Sequence, residues 1–411
     1  MPALVPSYLD KEVAEAINGT TVPADGVTVP NFRAHPLKVN TVPHAINSRL
    51  YDGRPTCDGH TSCVPLCPIK ARYEAIIHVE KALAAGAALK TQAVVTKLEL
   101  DENNKTVKRV WFRRWDGSED RASGRLIVLA ANGIENPRLL LLSNAANSSE
   151  LVGCHLMDHP IKQSFGLARK PLFPFRGPQT TSDIAAFRDG PFRRQMAGFK
   201  TSIKNDGWAS TSANTSAPRG NAIPAPHPNN PNSAGTLLDF VINQKLCGTE
   251  LRKKLYDHAT RQITLNSACE QLPIKENRVT LAMGQNDTFG IARPQINYHV
   301  YDDKNYLKNS FQAILKLHGW VFDRLGVAPN DRFMQEDPTV WSGSGHIMGT
   351  TIMGNDSKSS VVDKECRAHD NPNLFILGSS VFPTSSTANP TSTVAALALR
   401  AADTIKKQLK R

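Results

Sequence analysis

The chain has 411 residues, of which 40% are apolar and 21% charged, and it carries a net charge of +12. These values exclude wholesale disorder and collagen-like or low-complexity structure, and they predict at least two domains with sizeable cores. The basic residues are scattered, and no recognition helix, zinc-finger spacing or RNA-binding motif accompanies them, so nucleic acid is not an expected partner. No apolar run reaches the length of about 18 residues that a transmembrane helix needs, and the first residues are not typical of a signal peptide.

The predicted elements mix helices with strands. In chain order they are a helix near Tyr8–Ile17, a cysteine loop at 57–68, a helix at Ala71–Ala87, antiparallel strands at Ala88–Leu100 and Val107–Trp115, a strand at Leu126–Ala131, strands at Gln262–Glu270, Arg278–Leu281 and Pro294–Val300, a helix at 302–325, a strand at Leu374–Leu377 and a helix at Val394–Lys407. The continuous apolar run Leu126–Ala131 predicts a buried parallel strand that leads into a helix containing Leu139–Leu142. Residues 170–235 are rich in Pro, Gly, Ser, Asn and Thr, so we expect a long surface loop there, loosest at Arg219–Gly235.

Three cysteines, Cys57, Cys63 and Cys67, fall within one loop that also contains Gly59, Pro65 and Pro68. Thiolates are suitable ligands for iron–sulfur clusters and for zinc, and a proline follows the last cysteine, as in bacterial ferredoxins. The spacing alone leaves four readings open. They are an iron–sulfur cluster, a zinc site with His60 as fourth ligand, a disulfide with one thiol left over, and three structural cysteines.

Two motifs near the carboxyl terminus combine glycines with groups that can exchange or orient a proton. In Gly343–Gly354, glycines flank His346 and allow the backbone to approach a ligand closely. In Gly378–Thr391, Asn389 and Pro390 lead into the final helix, whose first amides favour negative charge on a bound group. A histidine can accept a proton near neutral pH, and an asparagine can orient a hydroxyl group, although each residue alone is more typical of a structural role.

Taken together, these motifs resemble the glucose–methanol–choline (GMC) oxidoreductases, which bind FAD and oxidise alcohols. The chain is most similar in pattern to the large flavoprotein subunit of bacterial membrane-bound sugar dehydrogenases, a group that oxidises glucose, gluconate, sorbitol or fructose. The resemblance runs through Tyr51–Cys57, His78–Ala82, Leu129–Pro137, Leu156–Pro160, Phe187–Phe192, Glu276–Leu281, the two carboxy-terminal motifs and Ala395–Arg400.

The resemblance implies an α/β fold with two domains. Residues 1–165 and 341–411 would form the FAD-binding domain, which would include the cysteine loop 57–68. Residues 166–340 would form an α+β substrate-binding domain built on a mostly antiparallel sheet. The family opens with a strand–Gly-x-Gly-x-x-Gly–helix unit, and this sequence contains none, so the FAD-binding domain is expected to be incomplete at its amino terminus.

The resemblance also assigns roles to individual positions. His346 and Asn389 fall at the two catalytic positions, and Cys57, Cys63 and Cys67 match the ligands of a three-iron [3Fe-4S] cluster. Positions that contact FAD in the family are matched by Val95, Ser379, Asn389 and Thr391.

The function implied is the FAD-dependent oxidation of a sugar, polyol or sugar-acid hydroxyl by hydride transfer. Electrons would leave through the iron–sulfur cluster to a membrane-bound cytochrome c subunit. A small accessory subunit would carry the export signal, which would place the complex at the periplasmic face of the inner membrane. The alternatives are an oxidase that passes electrons to oxygen, and an inactive, cofactor-free half of a split enzyme.

Overall fold

The computed structural model divides the chain into two compact units. The first unit comprises residues 1–87, 160–269 and 301–342, and the second comprises 88–159, 270–300 and 343–411. The structure describes residues 2–23, 36–60, 63, 66–175, 177–205, 240–241, 244–300, 305–337 and 340–410. The expected FAD-binding and substrate-binding domains have other boundaries, and their functional assignment stays a prediction.

The described residues form both helices and strands. The helices are α1 (Tyr8–Ile17), α2 (Ile76–Ala84), α3 (Asn132–Ser143), α4 (Gly248–Arg261), α5 (Tyr306–Arg324) and α6 (Thr391–Leu409). The strands are β1 (Val39–Thr41), β2 (Ala93–Leu100), β3 (Val107–Arg114), β4 (Glu119–Ala122), β5 (Ile127–Leu129), β6 (Pro160–Leu167), β7 (Thr180–Ile184), β8 (Phe199–Lys204), β9 (Gln262–Cys269), β10 (Arg278–Asn286), β11 (Ala292–Asn297), β12 (Arg332–Met334), β13 (Ser342–Gly343) and β14 (Leu374–Ile376). None of the described helices is both long enough and apolar enough to cross a membrane.

An antiparallel sheet forms the centre of the first unit, with strands in the order β1-β7-β8-β9-β6-β12. Helix α5 packs on β6 and β9 of this sheet. Its fully buried residues Phe311, Ile314 and Leu317 recur at the three- and four-residue spacing that places side chains on one face of a helix. The expectation of a mostly antiparallel sheet in this part of the chain is therefore confirmed.

The predicted long loop at 170–235 is wrong in its first part, because β7 and β8 lie within it. Four of the five residues of β7 are buried, and the hydroxyls of Thr181 and Ser182 donate to the carboxylate of Asp10 in α1. Ser and Thr favour turns and loops, yet both fit a pleated strand when their hydroxyl groups find partners. Residues 206–235, including the segment expected to be loosest, lie outside the described residues.

A buried histidine links α5 to the sheet of the first unit. His318 is 0% exposed, and its two ring nitrogens lie 2.8 Å from the hydroxyl oxygens of Ser164 in β6 and Ser267 in β9. Burial lowers the pKa of His318 to about 3, from an ordinary value of 6.5. The ring therefore stays neutral in the folded protein at pH values where the unfolded chain would protonate it.

This difference predicts that the protein loses stability in acid. Because the unfolded chain binds a proton at His318 below about pH 6.5 and the folded chain does not, the free energy of unfolding falls by about 1.4 kcal/mol per pH unit. Urea denaturation at pH 5 and pH 7 measures the loss. In His318→Gln the loss is smaller, whereas His78→Gln on the surface of α2 retains it. An equal pH dependence in both variants would contradict this account.

The second unit contains three small sheets and two helices. Strands β2-β3-β4 form an antiparallel sheet, β10 and β11 form a hairpin, and β5 pairs with β14 in parallel. The predicted parallel strand in Leu126–Ala131 is confirmed, but Val128 is 44% exposed, so the strand is not buried along its whole length. Leu129, Leu140 and Leu374 belong to the core of this unit.

Candidate active site

Three chain segments of the second unit lie side by side and bring the two carboxy-terminal motifs together. Met157 and Met348 exchange two backbone hydrogen bonds of 2.9 Å. On the other side, the Gly349 amide donates to the Ser379 carbonyl at 3.2 Å, and the Thr351 amide donates to the Ser380 carbonyl at 2.9 Å. The segment that follows His346 therefore lies between the segment ending at Met157 and the segment that leads to Asn389.

The carboxylate of Asp158 holds the turn on which His346 lies. Its Oδ1 accepts hydrogen bonds from the backbone amides of His159 at 2.7 Å and His346 at 2.8 Å, and its Oδ2 accepts from the Gly345 amide at 3.0 Å. Gly343 leaves room for this carboxylate, because a Cβ at that position would lie 2.6 Å from Oδ2. A buried carboxylate that accepts three amides fixes the backbone strongly, since hydrogen bonds to charged groups are the stronger ones.

The side chain of His346 lies between His159 and Asn389. Its Nδ1 lies 2.8 Å from Nδ1 of His159, and the two rings are nearly perpendicular, at 82°. Its Nε2 lies 3.3 Å from Nδ2 of Asn389. His346 is half-buried and Asn389 is exposed, so a ligand can reach this end of the imidazole ring.

Gln271 connects Asp158 with Ser385, which lies in the segment that leads to Asn389. Its side-chain oxygen accepts hydrogen bonds from the Asp158 amide at 2.9 Å and from the Tyr298 hydroxyl at 2.7 Å. Its backbone amide donates to the Ser385 hydroxyl oxygen at 2.7 Å, and that hydroxyl donates back to the Gln271 carbonyl at 2.9 Å. Burial, and then the charge of Asp158, raise the pKa of Tyr298, so the phenol stays a neutral donor.

The structure therefore brings together His346 and Asn389, which the sequence predicted as the catalytic pair. Ser379 contacts the residue that follows His346, because its hydroxyl donates to the Ile347 carbonyl. Thr391 is the first residue of α6, two residues after Asn389. Val95 lies on β2, paired with Phe112 of β3, and no described contact joins it to the pair.

Two profiles of one protein family match the chain. The amino-terminal profile of the GMC oxidoreductases matches residues 39–161, and the carboxy-terminal profile matches residues 273–398. The chain belongs to the GMC oxidoreductase family. The GMC resemblance and the fold class predicted from the sequence are both confirmed.

Several GMC relatives act on hydroxyl compounds according to their names. The chain is 36% identical to the fructose dehydrogenase large subunit of Gluconobacter japonicus over 90% of its own length and 63% of that protein's length. It is 27% identical to a 2-methyl-1,2-propanediol dehydrogenase of Mycolicibacterium austroafricanum, over 80% of this chain and 56% of the relative. The chain thus spans about three-fifths of the length of these two relatives.

A solved structure supports the GMC fold independently. The pyridoxine 4-oxidase from Mesorbium loti superposes with a TM-score of 0.55, covering 98% of this chain and 71% of that chain at 17% identity. At this identity the likeness is evidence of the fold alone.

The GMC family implies FAD, and the residues at the start of α6 fit its flavin end. No side chain caps this helix, and Thr391, Ser392 and Thr393 are exposed. Because the first amides of a helix have no partner within the helix, they can donate to a negatively charged flavin oxygen. The individual flavin contacts of Val95, Ser379, Asn389 and Thr391 stay predictions.

The cysteine loop belongs to the first unit. Cys63 and Cys67 are 5% exposed, Cys57 is half-buried, and all three thiols are free. Burial raises the pKa of Cys63, and the neighbouring Cys57 and Cys67 raise it further. Among the described residues, however, no group of three His, Cys, Asp or Glu side chains is arranged to hold a metal ion. The thiols lie near one another without forming a ready-made ligand set.

Sequence reasoning missed the residues that support His346, namely Asp158, His159 and Gln271. The segment Leu156–Pro160 was used only as one part of the family resemblance. Asp158 in this segment was a usable signal, because a carboxylate is a common partner of a catalytic histidine. Gln271 gave no signal of its own.

Asp158→Asn is expected to lower the free energy of unfolding by about 2–3 kcal/mol. The substitution removes the negative charge and turns an amide N–H toward at least one backbone donor among His159, Gly345 and His346, which leaves that donor without its acceptor. Urea denaturation measures the change. Asp116→Asn is the matched control, since Asp116 also accepts a backbone amide but lies in an exposed turn. Equal losses in the two variants would contradict the anchoring role.

Proposed function

We propose that this chain carries the substrate-oxidising site of an FAD-dependent dehydrogenase that acts on a hydroxyl group of a sugar, polyol or sugar acid. The contact between His346 Nε2 and the exposed Asn389 amide carries the proposal, because it presents a proton acceptor and a polar amide at one accessible point. The names of the relatives support the substrate class, among them fructose dehydrogenase, gluconate 2-dehydrogenase and pyranose 2-oxidase.

The chemistry divides between the protein and the cofactor. When FAD is bound, it supplies the acceptor for the hydride that leaves the carbinol carbon. Nε2 of His346 takes the hydroxyl proton, so that the alcohol loses one hydride and one proton and becomes a carbonyl. Asn389 orients the hydroxyl oxygen toward His346, since an amide can both donate and accept hydrogen bonds. The backbone anchor at Asp158 keeps the imidazole in place during the transfer.

The test is a substrate screen on the purified chain. The chain is prepared anaerobically, its visible absorption spectrum is recorded, and its flavin, iron and sulfide are assayed. Flavin-loaded protein is then mixed with sugars, polyols and sugar acids, and reduction of a dye acceptor is followed. Bleaching of the flavin band by at least one of these compounds is expected, and a loaded protein that none of them reduces would overturn the proposal.

The same screen separates the alternatives. Oxygen consumption at the rate of dye reduction would favour an oxidase over a dehydrogenase. A chain that binds no flavin in any preparation would favour the inactive, cofactor-free half. Adding a separately produced dinucleotide-binding unit of a GMC relative then tests whether the chain works as one of two parts.

We also propose that Cys57, Cys63 and Cys67 ligate a three-iron cluster. The support is the family resemblance and the three free thiols, of which Cys57 and Cys67 lie close enough to Cys63 to add to the rise in its pKa that burial causes. Iron and acid-labile sulfide at about three and four per chain are expected. In Cys63→Ser both fall by more than half, whereas the exposed Cys247→Ser leaves them unchanged. Zinc instead of iron, or no metal, would overturn the cluster.

The partners and the location are proposals from the same resemblance. We propose that the chain assembles with a small accessory subunit and a membrane-bound cytochrome c subunit at the periplasmic face of the inner membrane. One relative is itself named a large subunit and another a flavoprotein, which supports an assembly of several chains. Affinity purification from the native membrane should recover a haem-containing chain, and its consistent absence would count against the cytochrome.

A further inference from the structure

The contact between His159 and His346 joins two atoms of the same kind. The two Nδ1 atoms lie 2.8 Å apart, which is hydrogen-bonding distance. A neutral imidazole has one nitrogen that donates and one that accepts, so one of these rings must carry its proton on Nδ1 and the other must not.

The contact with Asn389 decides which ring donates. The nitrogen of the Asn389 side chain lies 3.3 Å from Nε2 of His346, and an amide nitrogen can only donate. Nε2 of neutral His346 must then be the accepting nitrogen, so its proton lies on Nδ1. It follows that Nδ1 of His159 accepts this proton in a hydrogen bond, and that His159 carries its own proton on Nε2.

His159 is held firmly enough to impose this choice. Its side chain is 0% exposed, and its backbone amide donates to the Asp158 carboxylate at 2.7 Å. Its carbonyl accepts hydrogen bonds from the Ser344 amide at 3.2 Å and the Ser344 hydroxyl at 2.9 Å. Both the ring and its backbone are therefore fixed against the turn that carries His346.

We propose that His159 is a positioning residue that keeps the proton of neutral His346 on Nδ1 and leaves Nε2 unprotonated beside the exposed Asn389, where it can accept a proton. The hydrogen bond at one ring nitrogen determines the state of the other. When Nε2 takes the hydroxyl proton, His346 becomes an imidazolium whose Nδ1–H still donates to His159, so the supporting contact persists through the transfer. The catalytic value of this arrangement rests on the proposed function, but the proton position does not.

The proton position can be observed directly by NMR. The chain is labelled with ¹⁵N-histidine, and the His346 resonances among those of the 12 histidines are assigned by comparison with His346→Gln. At a pH where the ring is neutral, long-range ¹H–¹⁵N spectra are expected to show a protonated Nδ1 and an unprotonated Nε2. A neutral His346 that carries its proton on Nε2 would overturn the proposal.

Two variants of His159 test the cause. In His159→Phe the accepting atom is lost at similar volume, and the Nδ1–H signature of His346 is expected to disappear. In His159→Asn the amide oxygen lies near the place of Nδ1, and the signature is expected to remain. An unchanged signature in His159→Phe would overturn the role of His159. If His159→Phe does not fold, the folded His159→Asn variant decides. Loss of the Nδ1–H signal of His346 in His159→Asn would overturn the role of His159. Retention of that signal, together with the expected wild-type spectrum, would support the role.

Kinetics then separate this proposal from the proposed function. In a preparation that turns over substrate, His159→Phe should lower kcat by about 10–10²-fold with KM nearly unchanged, and His159→Asn should retain most of the rate. An NMR spectrum with Nδ1 of His346 protonated, but no turnover of any substrate, would overturn the proposed function and leave the role of His159 standing. Turnover of substrate by a protein whose neutral His346 carries its proton on Nε2 would overturn the role of His159 and leave the proposed function standing.

Discussion

His346→Gln should lower kcat by about 10²–10⁴-fold, the range that a positioned general base contributes. Glutamine can preserve the contact of Nε2 with Asn389, because its amide reaches a similar place, but it cannot accept a proton at neutral pH. KM should change only a few-fold, since an amide can still hydrogen-bond the substrate hydroxyl. Steady-state rates with a reduced-dye readout, in the preparation that shows turnover, measure both constants.

The control for this variant is His369→Gln. His369 lies in the same unit, is half-buried like His346, and makes a hydrogen bond with a serine hydroxyl at 2.9 Å. Its replacement should leave kcat within a factor of about two. Retention of full turnover by His346→Gln, at unchanged flavin content, would show that another group takes the proton.

Elements with a strong local pattern were predictable from the sequence. The helix expected near Tyr8–Ile17 is α1 with the same bounds, and Ser7 caps it through hydrogen bonds with Asp10. The strand expected at Gln262–Glu270 is β9, which ends one residue earlier. The helix predicted at Ala71–Ala87 is shorter and begins only at Ile76. In each case the side-chain spacing that defines the element lies within the element itself.

Elements defined by distant partners were harder to predict. The sequence predicts a loop where strands β7 and β8 lie, because their polar side chains find partners only in distant elements. Thr181 and Ser182 of β7 donate to the Asp10 carboxylate of α1, and Thr201 of β8 shares a hydrogen bond with Ser267 of β9. Intrinsic strand preference is weak beside such tertiary context. Val128 shows the opposite error, since an apolar residue in an apolar run was expected to be buried and is 44% exposed.

In the candidate site, too, some residues were predictable from the sequence and others were not. His346 and Asn389 are 43 positions apart, and only the family resemblance suggested that they would meet. His159 is 187 positions from His346, and nothing in the spacing indicates that two Nδ1 atoms would face each other. The proton acceptor was therefore recognisable from its motif, whereas the group that fixes its proton emerges only from three-dimensional contacts.

Gly349→Ala should have the largest effect on stability, and we expect a loss of more than about 4 kcal/mol or a failure to fold. The backbone at Gly349 has φ +80, and an added Cβ would lie 1.9 Å from the carbonyl oxygen of His155. That oxygen belongs to backbone, so the two segments must separate to relieve the clash. Separation would break the paired hydrogen bonds of Met157 and Met348, and Met348 lies only two residues after His346 in the chain.

Gly345→Ala is the matched control, because it separates the clash from the backbone strain. Gly345 also has a positive φ, of +69, but a Cβ there meets nothing within 4 Å. Gly345→Ala should therefore lower the free energy of unfolding by only about 1–2 kcal/mol, the cost of placing a non-glycine residue in the left-handed conformation. Urea denaturation of both variants gives the two losses, and circular dichroism reports whether Gly349→Ala folds. If the two losses were equal, the close approach at His155 would not constrain the fold.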